Sequence, residues 1–145
     1  MIIIKGLGGM RPGTGKDIFK DVTRDNWYYD AVAIAHEYGI IDGYGDGAFG
    51  PMDKISRKQA MTMTARAMKL TGLKVELTEN EAEQLLSRFE DAGIASDYTK
   101  HSIASCLKAG IITGRDGNVV VPKNNITHTE AAVIVKRLLQ QSGLI

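Results

Sequence analysis

At 145 residues and 43% hydrophobic content, the chain has enough apolar side chain for one compact domain or two very small ones, which excludes a disordered chain. Eighteen basic against seventeen acidic residues leave a formal charge of +1, a field too weak to point to nucleic acid or an anionic membrane, so any charged ligand has to be met locally. The single cysteine, Cys106, excludes an internal disulfide and a cysteine metal cluster, and its apolar neighbours predict a small buried side chain.

The opening "MIIIKG" is too short an apolar run for a signal peptide, and nothing approaches the roughly eighteen apolar residues of a membrane span. If the protein is exported, its signal lies outside this chain. "IIIKGLGGMRP", from Ile2, echoes part of a unit that recurs further on and reads as the tail of a truncated repeat covering residues 1–18. The full unit starts at Phe19. "FKDV" there returns as "FEDA" at Phe89. "GIIDG" at Gly39 returns as "GIITG" at Gly110, and "ISRKQA" at Ile55 as "ITHTEA" at Ile126, both 71 residues on. The same shift pairs Trp27 with Tyr98 and Pro51 with Pro122.

Each unit reads as helix, glycine loop, helix. In the first, Trp27, Ala31, Ile34, Ala35 and Tyr38 recur at helical spacing, and Gly39 follows as a left-handed stop. Ser56 with Gln59 forms a capping box that opens the next helix, and Thr127 with Glu130 forms its counterpart. The apolar faces of these second helices, with Ala60, Met61, Ala65 and Met68 in one and Ala131, Ile134, Val135 and Leu138 in the other, predict the core. Between the units, Leu73 to Leu77 reads as loop or a short extended piece. Thr78 with Glu81 opens a linking helix that turns Ala82, Leu85, Leu86 and Phe89 inward. The repeats are thus placed at 19–72 and 89–145, joined by 73–88.

The glycine loop "GIIDGYGDGAFGP" imitates several ligand motifs and meets none. As a calcium loop starting at Asp42 it puts Tyr44 at the third position and Asp53 where a bidentate glutamate is needed. As a dinucleotide fingerprint it lacks the preceding strand. Gly43, Gly45 and Gly47 read instead as positive-φ residues of a tight turn. "MRPGTGKD" has Met10 where a phosphate loop needs its first glycine, and "HEYGI" has Ile40 where a zinc protease needs its second histidine. His36 and His101 read as helix-face residues. No nucleophile stands in catalytic order with a histidine, so the chain reads as neither an enzyme nor a cofactor or metal carrier.

One chemical feature is left. With Ser56 as N-cap, Arg57 falls at the first helical position, beside free backbone amides and the positive end of the helix dipole. A guanidinium there can take a carboxylate in a two-point grip that lysine cannot reproduce, or it can simply pair with a nearby acid such as Asp46 or Asp53. Trp27 and Tyr44 offer flat faces for a sugar, though Trp27 reads equally as the core anchor of its helix.

With these residues quoted, the run from "FKDV" at Phe19 through "GIIDGYGDGAFGP" to "SRKQ" resembles the S-layer homology (SLH) domain family over fifty consecutive residues, and Phe89 to Leu139 keeps the same frame. The resemblance implies an all-α fold of tandem helix-loop-helix repeats around a small central helical bundle. It also implies a noncatalytic anchor of bacterial surface proteins that binds secondary cell wall polysaccharide, commonly with pyruvylated sugars, outside the cell. The carboxylate of a pyruvyl ketal matches the grip expected of Arg57, which stands at the arginine of the family's T-R-A-E element. The ligand site is therefore expected at Arg57, Trp27, Tyr44, Gly43, Gly45, Asp46, Ser56 and Gln59. A weaker second site is expected at His128, Tyr98, Thr127 and Glu130, where histidine replaces the motif arginine and makes binding depend on its protonation. Gln59 replaces the motif glutamate. With similar proteins having three repeats, a second copy of the chain is expected to cover the face left by the truncated one, by swapping or side-by-side packing. The alternative to wall binding is a protein interaction or self-assembly module.

Overall fold

The computed structural model describes residues 17–115, 119–120 and 122–145. All but the last two residues of the supposed repeat remnant at 1–18 lie outside that set. The helices are α1 (Tyr29–Glu37), α2 (Arg57–Leu70), α3 (Glu79–Leu86), α4 (Asp97–Lys108) and α5 (His128–Gln141), with a 3-10 turn at Ala92–Ile94. Among the described residues there is no strand, only isolated bridges between Ser56 and Asn125 and between Arg115 and Val119, so the fold is all-α.

All three predicted capping boxes form. Ser56, Thr78 and Thr127 each accept from the backbone of the residue three on, and the side chains of Gln59, Glu81 and Glu130 reach back to the cap amides. The helix stop at Gly39 also forms as read. Its φ is 67°, its amide donates to the His36 carbonyl, and Ile40 N–H folds back 2.8 Å to the Ala35 carbonyl. Gly110 and Ile111 repeat both bonds, to Leu107 and Cys106. Leu73 to Leu77 is loop.

Helix α1 departs from expectation. It starts at Tyr29, two residues past Trp27, which is 77% exposed and meets the Tyr28 ring edge-on at 5.5 Å. The Asn26 side chain accepts from Thr23 N–H, Asn26 N–H donates to the Thr23 carbonyl, and Tyr29 N–H donates to the Asn26 carbonyl. These turns hold the residues that an earlier helix start would need. Trp27 is therefore not the core anchor of its helix. Val32, Ile34 and Ala35 are the buried residues of α1.

The chain forms two compact units, residues 1–53 and 54–145, and the division falls inside the first repeat. In the first unit Phe19, Val22, Val32, Ile34, Ala35, Ile40 and Ile41 are buried. Phe19 lies between Phe49, tilted against it at 5.4 Å, and His36, edge-on at 5.2 Å between ring centroids. Asp21 fastens the loop by accepting from Phe49 and Gly50 N–H at 2.9 and 2.8 Å, and these bonds hold its carboxyl below the usual range. Gly43 crosses under Phe19 so closely that a Cβ would collide with the ring.

In the second unit α2 packs on α4 and α5, and α3 packs on α4. Met61, Ile103, Cys106, Ile111, Val120 and Leu138 are fully buried. Burial pushes the Cys106 thiol up to about 12, which makes it an inert core side chain. The loop here repeats the first in detail: Phe89 lies against Gly114, Asp91 accepts from Val120 N–H at 2.7 Å, and Arg115 N–H donates to the Val119 carbonyl at 2.8 Å, as Tyr44 does to Ala48 at 2.9 Å.

Candidate functional site

The capping box delivers Arg57 to the first helical position of α2, as expected, but the surroundings differ from expectation. Arg57 N–H donates to the Asn124 carbonyl at 2.7 Å and Lys58 N–H to the Pro122 carbonyl at 2.9 Å, so the mouth of the helix is filled by backbone oxygens from the second repeat. The guanidinium is buried with them. Arg57 is only 4% exposed; its Nε donates to the Val120 carbonyl at 2.8 Å, Nη2 to Thr113 at 3.3 Å, and Nη1 to Glu130 Oε1 at 2.6 Å.

Arg57 thus pairs with an acid of its own chain, Glu130. It grips a carboxylate, but the carboxylate belongs to the other repeat of the same chain, and the remaining donors hold backbone carbonyls that offset the cost of burying the charge. Neither Asp46 nor Asp53 is its partner. Asp46 takes Lys20 Nζ at 3.1 Å and Ala48 N–H at 3.0 Å, and Asp53 accepts from the Tyr44 hydroxyl at 3.0 Å.

Glu130 is the centre of the cluster. Arg115 donates to it in a fork, Nε to Oε1 at 2.7 Å and Nη2 to Oε2 at 2.6 Å, while Thr127 donates from its amide and hydroxyl. The Arg115 hydrogen bond, then the Thr127 amide and hydroxyl bonds and the charge of Arg57, hold Glu130 down to about 2 against the cost of burial. Burial lowers the Arg57 pKa and Glu130 partly restores it. Two guanidinium groups, Arg57 and Arg115, thus share the Glu130 carboxylate. Arg115 is the residue the sequence reading missed. It stands 71 residues after Tyr44, and that exchange of a tyrosine for an arginine in an otherwise matching loop was the available signal.

The other expected site residues scatter. Trp27 and Tyr44 stand in solvent in the first unit, at 77% and 56% exposure; Gly45 is exposed, Gly43 is under Phe19, and Asp46 is tied to Lys20. Ser56 and Gln59 bond each other at the cap of α2. In the second unit His128 is exposed at the start of α5, beside Thr127 and Glu130. Tyr98 is not with them: its hydroxyl takes Arg66 Nε at 3.1 Å, and Arg66 lies nine residues along α2 from Arg57, roughly 13 Å at the helical rise. Among the described residues, no group of three or more His, Cys, Asp or Glu is placed to hold a metal ion, and no helix is long and apolar enough to cross a membrane.

Residues 18–61 and 88–132 match the family model described as S-layer homology domain, together more than half of the chain. The chain belongs to the SLH family. Among curated proteins, its SLH repeats are 36% identical over 128 residues to an amylopullulanase of Thermoanaerobacterium thermosulfurigenes, covering 88% of this chain but 6% of that protein. They are 35% identical to exoglucanase XynX of Acetivibrio thermocellus, over 86% of this chain and 11% of the enzyme. They are 31% identical to the surface-layer 125 kDa protein of Lysinibacillus sphaericus, over 84% of this chain and 10% of that protein. The SLH chain thus spans about a tenth or less of these three relatives.

Proposed function

We propose that this SLH chain is a noncatalytic module that anchors a bacterial surface protein, outside the cell, to an acidic secondary cell wall polysaccharide. One observation carries the reading. Proteins named for three unrelated roles, an amylopullulanase, an exoglucanase and a surface-layer protein, share this segment as a small part of their length. What the segment contributes must be common to all three, and location is common where catalysis is not. A cellulosome-anchoring protein of Acetivibrio thermocellus, 26% identical over 99% of this chain, agrees with it.

The ligand is proposed to carry a carboxylate, as a pyruvyl ketal does, because a chain of net charge +1 offers local cations rather than a broad field. Of the residues named from sequence, contact is assigned to the rings that face solvent: Trp27 and Tyr44 in the first unit, Tyr98 and His128 in the second. Arg57 is assigned to holding the second unit together. Retention of the purified chain on isolated wall polymer, before and after removal of the ketals, tests this. Binding that depends on the ketal is expected. Equal retention on both polymers would remove the ketal, and no retention on either would remove the anchor.

Self-association is a second reading with an observation of its own. The mouth of α2 is closed by a loop of the second repeat, whereas Thr127, His128 and Thr129, the copies of Ser56, Arg57 and Lys58, are exposed at the mouth of α5. A loop of another molecule can dock there as Pro122 and Asn124 dock on α2. Sedimentation equilibrium should then show a mass that rises with concentration and falls back to the monomer in a Thr129→Pro variant, which removes an amide at that mouth.

A further inference from the structure

Within the second unit, α2 and α5 are equivalent helices of the two repeats, placed side by side. They run in the same direction, joined at their starts by Arg57 and Glu130 at 2.6 Å and at their ends by the Ser142 and Thr71 hydroxyls at 2.9 Å. The contact at the starts is not reciprocal. His128 stands 71 residues after Arg57, and Gln59 stands 71 before Glu130, so Arg57 and Glu130 come from different positions of the repeat. A contact made through different faces of two like units uses one face of each and leaves the other face of each unspent.

Burial marks the unspent faces. On α2, Arg57 is 4% exposed and Met61, one turn on, is fully buried, whereas the equivalent residues of α5, His128 and Ala132, are exposed. On α5 the order reverses. Glu130 is half-buried and Ile134, one turn on, is buried, whereas the equivalent residues of α2, Gln59 and Met63, are exposed and half-buried.

We propose that these two faces join copies of this chain head to tail, with His128 and Ala132 of one molecule set against Gln59 and Met63 of the next. The inference rests on the self-association reading and names the surface that the partner brings. The paired loss of charge commits it to a second copy. Arg57 requires Glu130, because a buried guanidinium without a carboxylate is costly. On the open faces histidine stands for the arginine and glutamine for the glutamate, so neither face demands a charge from the other. A face fitted to an acidic or a basic stranger would have kept one of the two. In a single molecule the faces do not meet, since α2 and α5 are already joined through their other sides.

The test puts one carboxylate on each face of the whole chain. Ala132→Glu blocks the face on α5 and Met63→Glu the face on α2, and sedimentation equilibrium reads each variant alone and the two mixed in equal amounts. Each alone should raise the dissociation constant of the parent at least about tenfold, the effect of an unpaired charge pressed into an apolar contact. The mixture should associate to within about threefold of the parent and stop at a dimer, because it holds one intact pair of unlike faces and no more. Met63 is half-buried, so if Met63→Glu lacks the helical circular dichroism of the parent, Gln59→Arg, at an exposed position of the same face, replaces it.

A mixture that stays monomeric overturns the pairing. So does loss of association in Ala132→Glu with Met63→Glu unaffected, which marks a symmetric contact through α5. A parent that is monomeric at every concentration sinks self-association and this inference with it. A parent that associates, with both variants associating equally well, leaves self-association standing and removes only these two faces.

Discussion

Glu130 decides how Arg57 behaves. An arginine at a helix mouth is open to any anion, yet here the anion comes from the same chain, and two guanidinium groups depend on it. Glu130→Gln removes the carboxylate charge that the buried Arg57 and Arg115 share, so urea denaturation should show a loss of about 3 kcal/mol. The pH dependence follows from the same contact. The Glu130 carboxyl is held at about 2, mainly by its bond from Arg115, against an ordinary 4.5. Its stabilising contribution is complete above about pH 5 and is lost as pH falls through the interval from 4.5 to 2. The melting temperature of the parent should therefore drop more steeply across that window than that of Glu130→Gln. Arg57→Lys keeps the charge but cannot reach Glu130 and two carbonyls from one ammonium, and should melt lower while the folded fraction binds wall as before. A lysine variant with unchanged melting and lost wall binding would return Arg57 to the ligand.

Helix ends were the most legible part of the sequence because their causes are local. The capping boxes at Ser56, Thr78 and Thr127 and the stop at Gly39 each depend on residues within a turn or so, and all four form. Thr127→Ala should cost about 1 kcal/mol in chemical denaturation. The helix start fell later than the apolar spacing from Trp27 predicts because the turn chemistry of Thr23 and Asn26, also local and readable, holds the residues before Tyr29. The Arg57–Glu130 pair was illegible for a different reason. Its members are 73 residues apart, and a repeat offset says which positions are equivalent without saying which ones meet. The loop joins both kinds of information. In each copy a phenylalanine closes over a glycine, Phe19 over Gly43 and Phe89 over Gly114, where a Cβ would come within 2.5 Å of the Phe89 ring. Gly114→Ala should therefore cost about 1–3 kcal/mol, the usual penalty for overfilling a packed site.

The repeat is the unit of sequence, but packing divides the chain elsewhere, between Asp53 and Lys54. The second helix of the first repeat, α2, packs on α4 and α5 of the second repeat, and it brings Arg57 to Glu130 and Met61 onto the Cys106 thiol. A fragment cut at the packing boundary, residues 54–145, retains all of these contacts. A fragment cut at the repeat boundary, residues 73–145, loses α2 altogether. Removing the burial of Met61 and Met68 alone withdraws about 3–6 kcal/mol, against a total stability on the order of 5–15 kcal/mol for a domain. It also leaves Ile103, Ala104 and Cys106 of α4 without their cover. Fragment 54–145 should accordingly show helical circular dichroism and one cooperative thermal transition that weakens below pH 5, while 73–145 should show neither. A cooperative transition in 73–145 would mean that the second repeat folds by itself and that the exchange of α2 is an addition to a finished domain rather than part of its core.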